Sequence, residues 1–370
     1  MKFQKFAWYL GLLLAARTCL AQTDPSIKVF DVLGATATYP VSINNSGDIT
    51  GSFCTKVYPC EETDRSGFVR DRDGSITTFD GIPSGINDKG VIAGYLTDHQ
   101  HFFLRDKHGN TTLFLLPQAF PYASGWTVAI NNKEEITGYF IPEPGSDAFL
   151  GFVLDSRGYA VFGLPDGTIP AGINDHGDVT GYTAPYSGID VDGFVRDKNG
   201  NITVFDAPDP TLEPNCIEPN TYPSGINDHR VTAGTVEDCS QSHGFIRRWN
   251  GRIEVFDALP DALDTTVSGI NDRGVVLGSF FLPNYGYFQF LRPRGHTAVF
   301  DVPGAASSVS INNHDDVTGY FHEGTLVHGF VHRARCLPLN DKRPHGAASG
   351  NEDRPCEDRD PFHDDVSRSD

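Results

Sequence analysis

"GINDHGDVTGY", residues 172–182, offers Asn174, Asp175, His176 and Asp178 within a few positions and resembles a calcium or zinc loop. Its meaning changes once the chain is compared with itself. The same frame recurs as "SINNSGDITGSF" from Ser42, "GINDKGVIAGYL" from Gly85 and "AINNKEEITGYF" from Ala129. It returns as "GINDHRVTAGTV" from Gly225, "GINDRGVVLGSF" from Gly269 and "SINNHDDVTGYF" from Ser310, making seven copies roughly 40 to 50 residues apart. In each, an Ile-Asn pair opens the frame and the Ile precedes a Gly by eight positions, while most residues between them change. Constant geometry with variable chemistry marks an architectural repeat.

A second element alternates with the first: "GFVRDRDGSITTFD" from Gly67, "FFLRDKHGNTTLFL" from Phe102, "GFVLDSRGYAVFG" from Gly151 and "GFVRDKNGNITVFD" from Gly193. "GFIRRWNGRIEVFD" from Gly244 and "QFLRPRGHTAVFD" from Gln289 continue the series. Each unit holds four short strands, A to D, joined by Asn/Asp/Gly turns, which predicts an all-β protein built as a β-propeller. The last copy ends at strand C, "HGFVHR" (328–333), and "IKVFD" (27–31) is a strand D without a unit. The two ends should combine into one blade, giving seven four-stranded blades in a ring with no free edge there.

Within this frame, Asn-Asn or Asn-Asp followed by Gly suits the A–B hairpin, and Glu134, Arg230 and Asp315, standing where other copies have that Gly, predict slightly different turns. A Gly recurs in strand B at 51, 94, 138, 181, 234, 278 and 319. Gly weakens a strand, so its return points to close backbone approach. The position before the repeated Ile is always small, placing strand A innermost against a narrow axis. One Phe per strand D, from Phe30 to Phe300, should pack between blades.

The alternation of a "GINDxGxVxGY" segment with an "HGFVRDxxGxxTxFD" segment resembles the extracellular HAF-repeat proteins. The His-Ala-Phe-like triplet matches as His243-Gly244-Phe245, as His328-Gly329-Phe330 and, loosely, as His101-Phe102-Phe103; Ser66, Leu150, Asp192 and Phe288 depart from it. The resemblance covers most of 27–333 and implies export and a propeller-like fold. It implies no activity.

The chain has 370 residues and a formal net charge of -19, which argues against a nucleic-acid partner, since phosphate binding needs clustered Lys and Arg. Residues 1–21, with Lys2 and Lys5 before an apolar run and Cys19-Leu20-Ala21 after it, read as a signal peptide cleaved after Ala21. The run is too short for a membrane span, so a secreted or periplasmic protein is expected. The propeller should occupy 22–335 and a disordered polar tail 336–370.

Six cysteines remain after the signal peptide, an even number that favours disulfides in an oxidising compartment but admits many connectivities. Cys54 and Cys60 share one B–C loop; Cys216 and Cys239 flank the fifth blade on the same side; Cys336 and Cys356 are left to pair in the tail.

Neither metal nor cofactor is expected. "DRDGS" at Asp71 comes nearest to a calcium loop, but equivalent turns lose its second acid. His99-Gln100-His101 has ligand-like spacing, yet His101 shares a repeat column with His243 and His328, which indicates a structural hydrogen bond. No nucleophile elbow, HExxH helix, P-loop or dinucleotide fingerprint occurs.

Loop length supplies the remaining direction. The A–B and C–D turns are short, whereas the B–C and D–A connections include long, varied loops at 53–66, 141–149, 183–192, 206–222 and 281–288. Function concentrates in variable loops on a rigid scaffold. The candidate binding residues on that face are Tyr58, Trp126, Tyr186, Tyr285 and Tyr287 with Glu61, Glu143, Asp190 and Glu237. Aromatic and acidic groups together suit a polysaccharide or an extracellular protein. A binding or scaffold role leads, a lyase or glycoside hydrolase on the same face comes second, and a purely structural envelope protein third.

Overall fold

The computed structural model describes residues 26–333 apart from 57–58, 117–119, 121–122, 147, 186–189, 209–218, 239 and 303. The expected signal peptide and tail lie outside the described residues, as do Tyr58, Tyr186, Cys216, Cys239, Cys336 and Cys356.

The described chain is all-β, with 28 strands and two single-turn 3-10 segments. The fourth repeat shows the plan. β14 (Ile169–Ile173), β15 (Val179–Tyr182), β16 (Gly193–Arg196) and β17 (Ile202–Phe205) pair antiparallel in sequence order. Five such sheets stand alone, and a sixth has eight strands. In the eight-stranded sheet, β26 (Ala305–Ile311), β27 (Val317–Glu323) and β28 (Leu326–His332) form one antiparallel run. The N-terminal β1 (Ile27–Phe30) completes that run, pairing Ile27 with His332 and Phe30 with Gly329. A single parallel bridge, Ala37 to Val327, joins it to the first repeat. The chain ends therefore meet as the truncated last repeat required.

The strand-B glycines have a steric cause. A Cβ on Gly181 would lie 2.2 Å from the Ile169 carbonyl oxygen, and the other six would meet the strand-A carbonyl at 2.1 to 2.3 Å. In all seven strand A–B pairs the register slips beside this contact, at Pro40/Ser42 in the first repeat and Pro170/Gly172 in the fourth. Such a bulge bends strand A and presses its backbone onto strand B.

The strand-D Phe residues join neighbouring sheets as expected. Phe162 lies against Gly151 of its own sheet and meets Phe194 of the next edge-on at 6.1 Å. Arg196 then covers the other side of Phe162, 4.9 Å from the ring centroid. Phe30, Phe79, Phe205 and Phe256 carry Arg70, Arg105, Arg247 and Arg292 in the same way. His332 stacks on Phe300 at 4.5 Å in the corresponding place. Burial pulls the Arg70, Arg196, Arg247 and Arg292 guanidiniums below their usual range, and the negative ring face offsets part of that cost.

One expectation is corrected. Glu134, Arg230 and Asp315 do not make different turns: their φ values of 65°, 58° and 62° match the left-handed 71° to 83° of Gly47, Gly90, Gly177 and Gly274. Their amides also close the turn onto Asn131, Asn227 and Asn312 at 3.0 to 3.1 Å. The hydrogen-bonded frame imposes the conformation whatever residue stands there.

Candidate functional site

At the turn end, the polar residues of the opening stretch bond to one another. Asn174 Oδ1 accepts from the amides of His176 and Asp178, closing its own turn, while Nδ2 donates to the Asn227 carbonyl of the next repeat. Asn44, Asn87, Asn131, Asn174, Asn227, Asn271 and Asn312 each donate to the next at 2.8 to 3.0 Å, and Asn312 returns to Asn44. A second ring accompanies the first. The amide at each following position donates to the side-chain oxygen of its neighbour at 2.7 to 2.9 Å, through Asn45, Asp88, Asn132, Asp175, Asp228, Asp272 and Asn313.

These rings line an axial cavity of about 220 Å3, and the Ile residues with the small-residue column line one of about 310 Å3. The carboxylates here hold the architecture together. Among the described residues, no group of three or more His, Cys, Asp or Glu is placed to hold a metal ion.

The column histidines do make structural bonds. His101 Nδ1 lies 2.6 Å from Asp98, and His328 Nδ1 lies 2.9 Å from Asp31. His243 is buried between Asp257 at 2.6 Å and Asp238 at 3.2 Å.

The opposite end, beyond the strand-A bulge, is aromatic. Cross-strand partners at this level are Tyr39–Ser52, Ile82–Tyr95, Trp126–Tyr139, Ile169–Tyr182, Tyr222–Thr235, Thr266–Ser279 and Ser307–Tyr320. Tyr39, Tyr95, Trp126, Tyr139, Tyr182, Tyr222 and Tyr320 are all half-buried. Pairs meet between repeats: Tyr39 with Tyr320 at 5.2 Å and Tyr182 with Tyr222 at 5.3 Å, both edge-on. Thr266 and Ser279 share a 2.8 Å hydrogen bond on a hydroxyl-bearing side of the same level.

Of the candidates read from sequence, Trp126 belongs to this set, stacking on Tyr139 at 5.3 Å and meeting His99 at 4.9 Å. Glu237 ends strand β19 (Thr232–Glu237), and its charge acts on Tyr222. Tyr287 is 63% exposed beside Phe281, whereas Tyr285 packs against the sixth repeat's core. Glu61, Glu143 and Asp190 are exposed on their loops. Cys54 and Cys60 form the expected disulfide.

Sequence reasoning missed Tyr39, Tyr95, Tyr139, Tyr182, Tyr222 and Tyr320. The signal was the Tyr after the strand-B Gly in four copies, at 95, 139, 182 and 320.

Glu62 brings a carboxylate to the Tyr95 side of this end. Its Oε1 accepts from the Tyr95 hydroxyl at 2.6 Å, and its Oε2 lies 3.7 Å from His99 Nε2. Burial and then Glu62 raise the Tyr95 phenol far above its usual range. Burial, Tyr182 and Glu62 raise Tyr139. The Tyr95 phenol therefore stays protonated and donates to Glu62, the opposite of what a tyrosinate base needs.

No family profile matches the chain, and no curated protein does. Solved structures do. A streptogramin B lyase superposes with a TM-score of 0.55 at 12% identity, covering 82% of this chain and 96% of its own. Virginiamycin B lyase from Staphylococcus aureus gives 0.54 at 12%, covering 83% and 99%. Acylaminoacyl peptidase from Pyrococcus horikoshii gives 0.53 at 12%, covering 81% of this chain and 53% of the peptidase. The likeness places the chain among β-propeller folds. At this identity it carries the fold alone.

Proposed function

We propose that this chain is an exported seven-bladed β-propeller of the HAF-repeat kind, closed by its N-terminal strand, which binds a carbohydrate or another extracellular macromolecule through the face bearing its B–C and D–A loops. The blade count is supported by seven sequence copies and by the seven-membered Asn relay that returns to its start. Export is supported by the leader-like composition of residues 1–21 and by the Cys54–Cys60 disulfide. No helix among the described residues is long and apolar enough to cross a membrane.

The observation that carries the binding role is the set of half-buried Tyr and Trp side chains at one level of the inner strands. Tyr and Trp present an apolar body and a polar tip at small entropic cost, which suits ligands that are themselves amphipathic. Glu62, Tyr95 and His99 converge as an active site would, and this favours a polysaccharide lyase or hydrolase as the second reading. A panel of polysaccharides, assayed with the mature protein for retention and product release together, decides between them. Retention without products is the expected result, and neither retention nor products across the panel would sink both readings.

A further inference from the structure

One part of the aromatic end is built differently from the rest. The 3-10 turn Glu62–Asp64 follows the Cys54–Cys60 disulfide and carries Glu62 from the first repeat to Tyr95 of the second. His99 closes the arrangement. Its φ of 54° is left-handed, a conformation costing about 1 to 2 kcal/mol for a residue other than Gly. It is fastened there by its amide bond to the Leu96 carbonyl and by the Gly125 amide bonded to its own carbonyl, at 2.9 and 2.8 Å. Its ring lies between Tyr95, at 5.6 Å, and Trp126, at 4.9 Å, and Trp126 continues the stack to Tyr139. Its Nδ1 is buried without a hydrogen-bond partner among the described residues. Strain maintained by surrounding contacts is a mark of a pre-organised site.

We propose that Glu62, Tyr95, His99, Trp126 and Tyr139 form a subsite for an uncharged pyranose residue of a glycan. Its hydroxyls donate to Glu62, and its C–H face lies along the aromatic stack. This inference rests on the reading of the loop face as a glycan-binding surface. An ionised carboxylate is an acceptor only, and sugar hydroxyls are the donors that match it. The charge of Glu62 reaches both Tyr95 and Tyr139, so a uronate would enter a site of its own sign on a chain of net charge -19. Arg65 is the cation that works the other way. Its guanidinium lies over Tyr39 at 4.7 Å, where the ring face already engages it.

Calorimetric titration of the purified chain with cello-, laminari-, malto- and mannohexaose, against hexagalacturonate and hexaguluronate, tests the subsite. At least one neutral hexasaccharide should bind, Glu62→Gln should weaken it about tenfold, and Trp126→Ala should abolish it. Trp126→Phe, which keeps a ring in place, should retain intermediate affinity and guards against misfolding of the alanine variant. Neutral-glycan binding unchanged by Glu62→Gln and Trp126→Ala would overturn the subsite. So would hexauronate binding by the parent that Trp126→Ala abolishes. Either result leaves a glycan-binding face intact, whereas no binding by any saccharide overturns that reading as well.

Discussion

The side-chain amide of Asn312 donates to the main-chain carbonyl of Asn44 at 2.9 Å, across 268 positions of sequence. With that bond the relay of Asn residues becomes a ring, and each Asn serves two purposes. The oxygen of Asn312 accepts from the amides of His314 and Asp316, while its nitrogen reaches the first repeat. Asn312→Ala removes three hydrogen bonds in a buried setting and should cost about 3 kcal/mol. Asn312→Asp keeps the acceptor and loses the donor, so its loss should be smaller. Thermal unfolding should place the alanine variant on the order of 10 °C below the parent and the aspartate variant between them.

Two glycines of neighbouring columns should respond in opposite ways. At Gly181 a Cβ meets the Ile169 carbonyl at 2.2 Å, and the obstacle is backbone. Gly181→Ala should therefore destabilise by at least about 3 kcal/mol or prevent folding. At Gly269, in the small-residue column, nothing lies within 4 Å of a Cβ. Gly269→Ala should be neutral or gain up to about 1 kcal/mol through the unfolded chain. Denaturant midpoints of the pair separate close approach from mere smallness.

The repeat, its four strands, the closing strand and the steric role of the strand-B Gly were legible because each leaves a periodic mark. The aromatic end was not. Tyr39, Trp126 and Tyr222 stand beside a register slip, and a slip of one residue changes the face on which a strand side chain emerges. Attention to loop length led instead to Tyr285, which is packed against the core. The partners of Asn174 and Asp175 were equally hidden, since Asn227 and Asp228 lie 53 residues away.

The left-handed turn positions give a contrast of sign. Glu134 stands at φ 65° with only an exposed ion pair to Lys89 in return, so Glu134→Gly should stabilise by about 0.5 kcal/mol. Arg230 stands at 58° but pairs with the buried Asp178 carboxylate at 2.7 Å. Arg230→Gly relieves the same strain and leaves that carboxylate short of a partner, for a net loss of about 1 to 2 kcal/mol. Equilibrium unfolding in urea should move the two midpoints in opposite directions.

The Cys54–Cys60 disulfide closes a short loop immediately before the turn that presents Glu62. Cys54→Ser with Cys60→Ser should cost about 2 kcal/mol by chain entropy. The larger effect is expected on ligand affinity, because Glu62 loses the constraint that holds it against Tyr95. Titration of a bound hexasaccharide before and after substitution, at a temperature where both proteins remain folded, reads that effect directly.

The second axial ring holds three acids in succession, Asp175, Asp228 and Asp272, while its fourth, Asp88, stands between Asn45 and Asn132. Burial first, and then Asp272 and Asp175, raise the Asp228 carboxyl above its ordinary range, opposed by the Asp175 amide bond. A carboxyl whose folded value is raised favours folding fully only below its unfolded value, and that contribution is lost as pH rises through the folded one. The parent should therefore lose part of its stability as pH rises from the ordinary carboxylate range towards neutrality. Asp228→Asn keeps the oxygen that accepts from Asp175 and removes the titration. Its new amide can donate to both neighbouring carboxylates, as Asn132 does to Asp88 and Asp175 at 3.0 Å each. Two hydrogen bonds to charged acceptors in place of like-charge repulsion should stabilise the protein by about 1 to 2 kcal/mol at pH 7. The advantage should shrink as pH falls through the raised Asp228 titration, where the parent carboxyl takes up its proton. Unfolding midpoints of parent and variant between pH 3 and 8 should diverge as pH rises, and parallel curves would show that the ring carries no such repulsion.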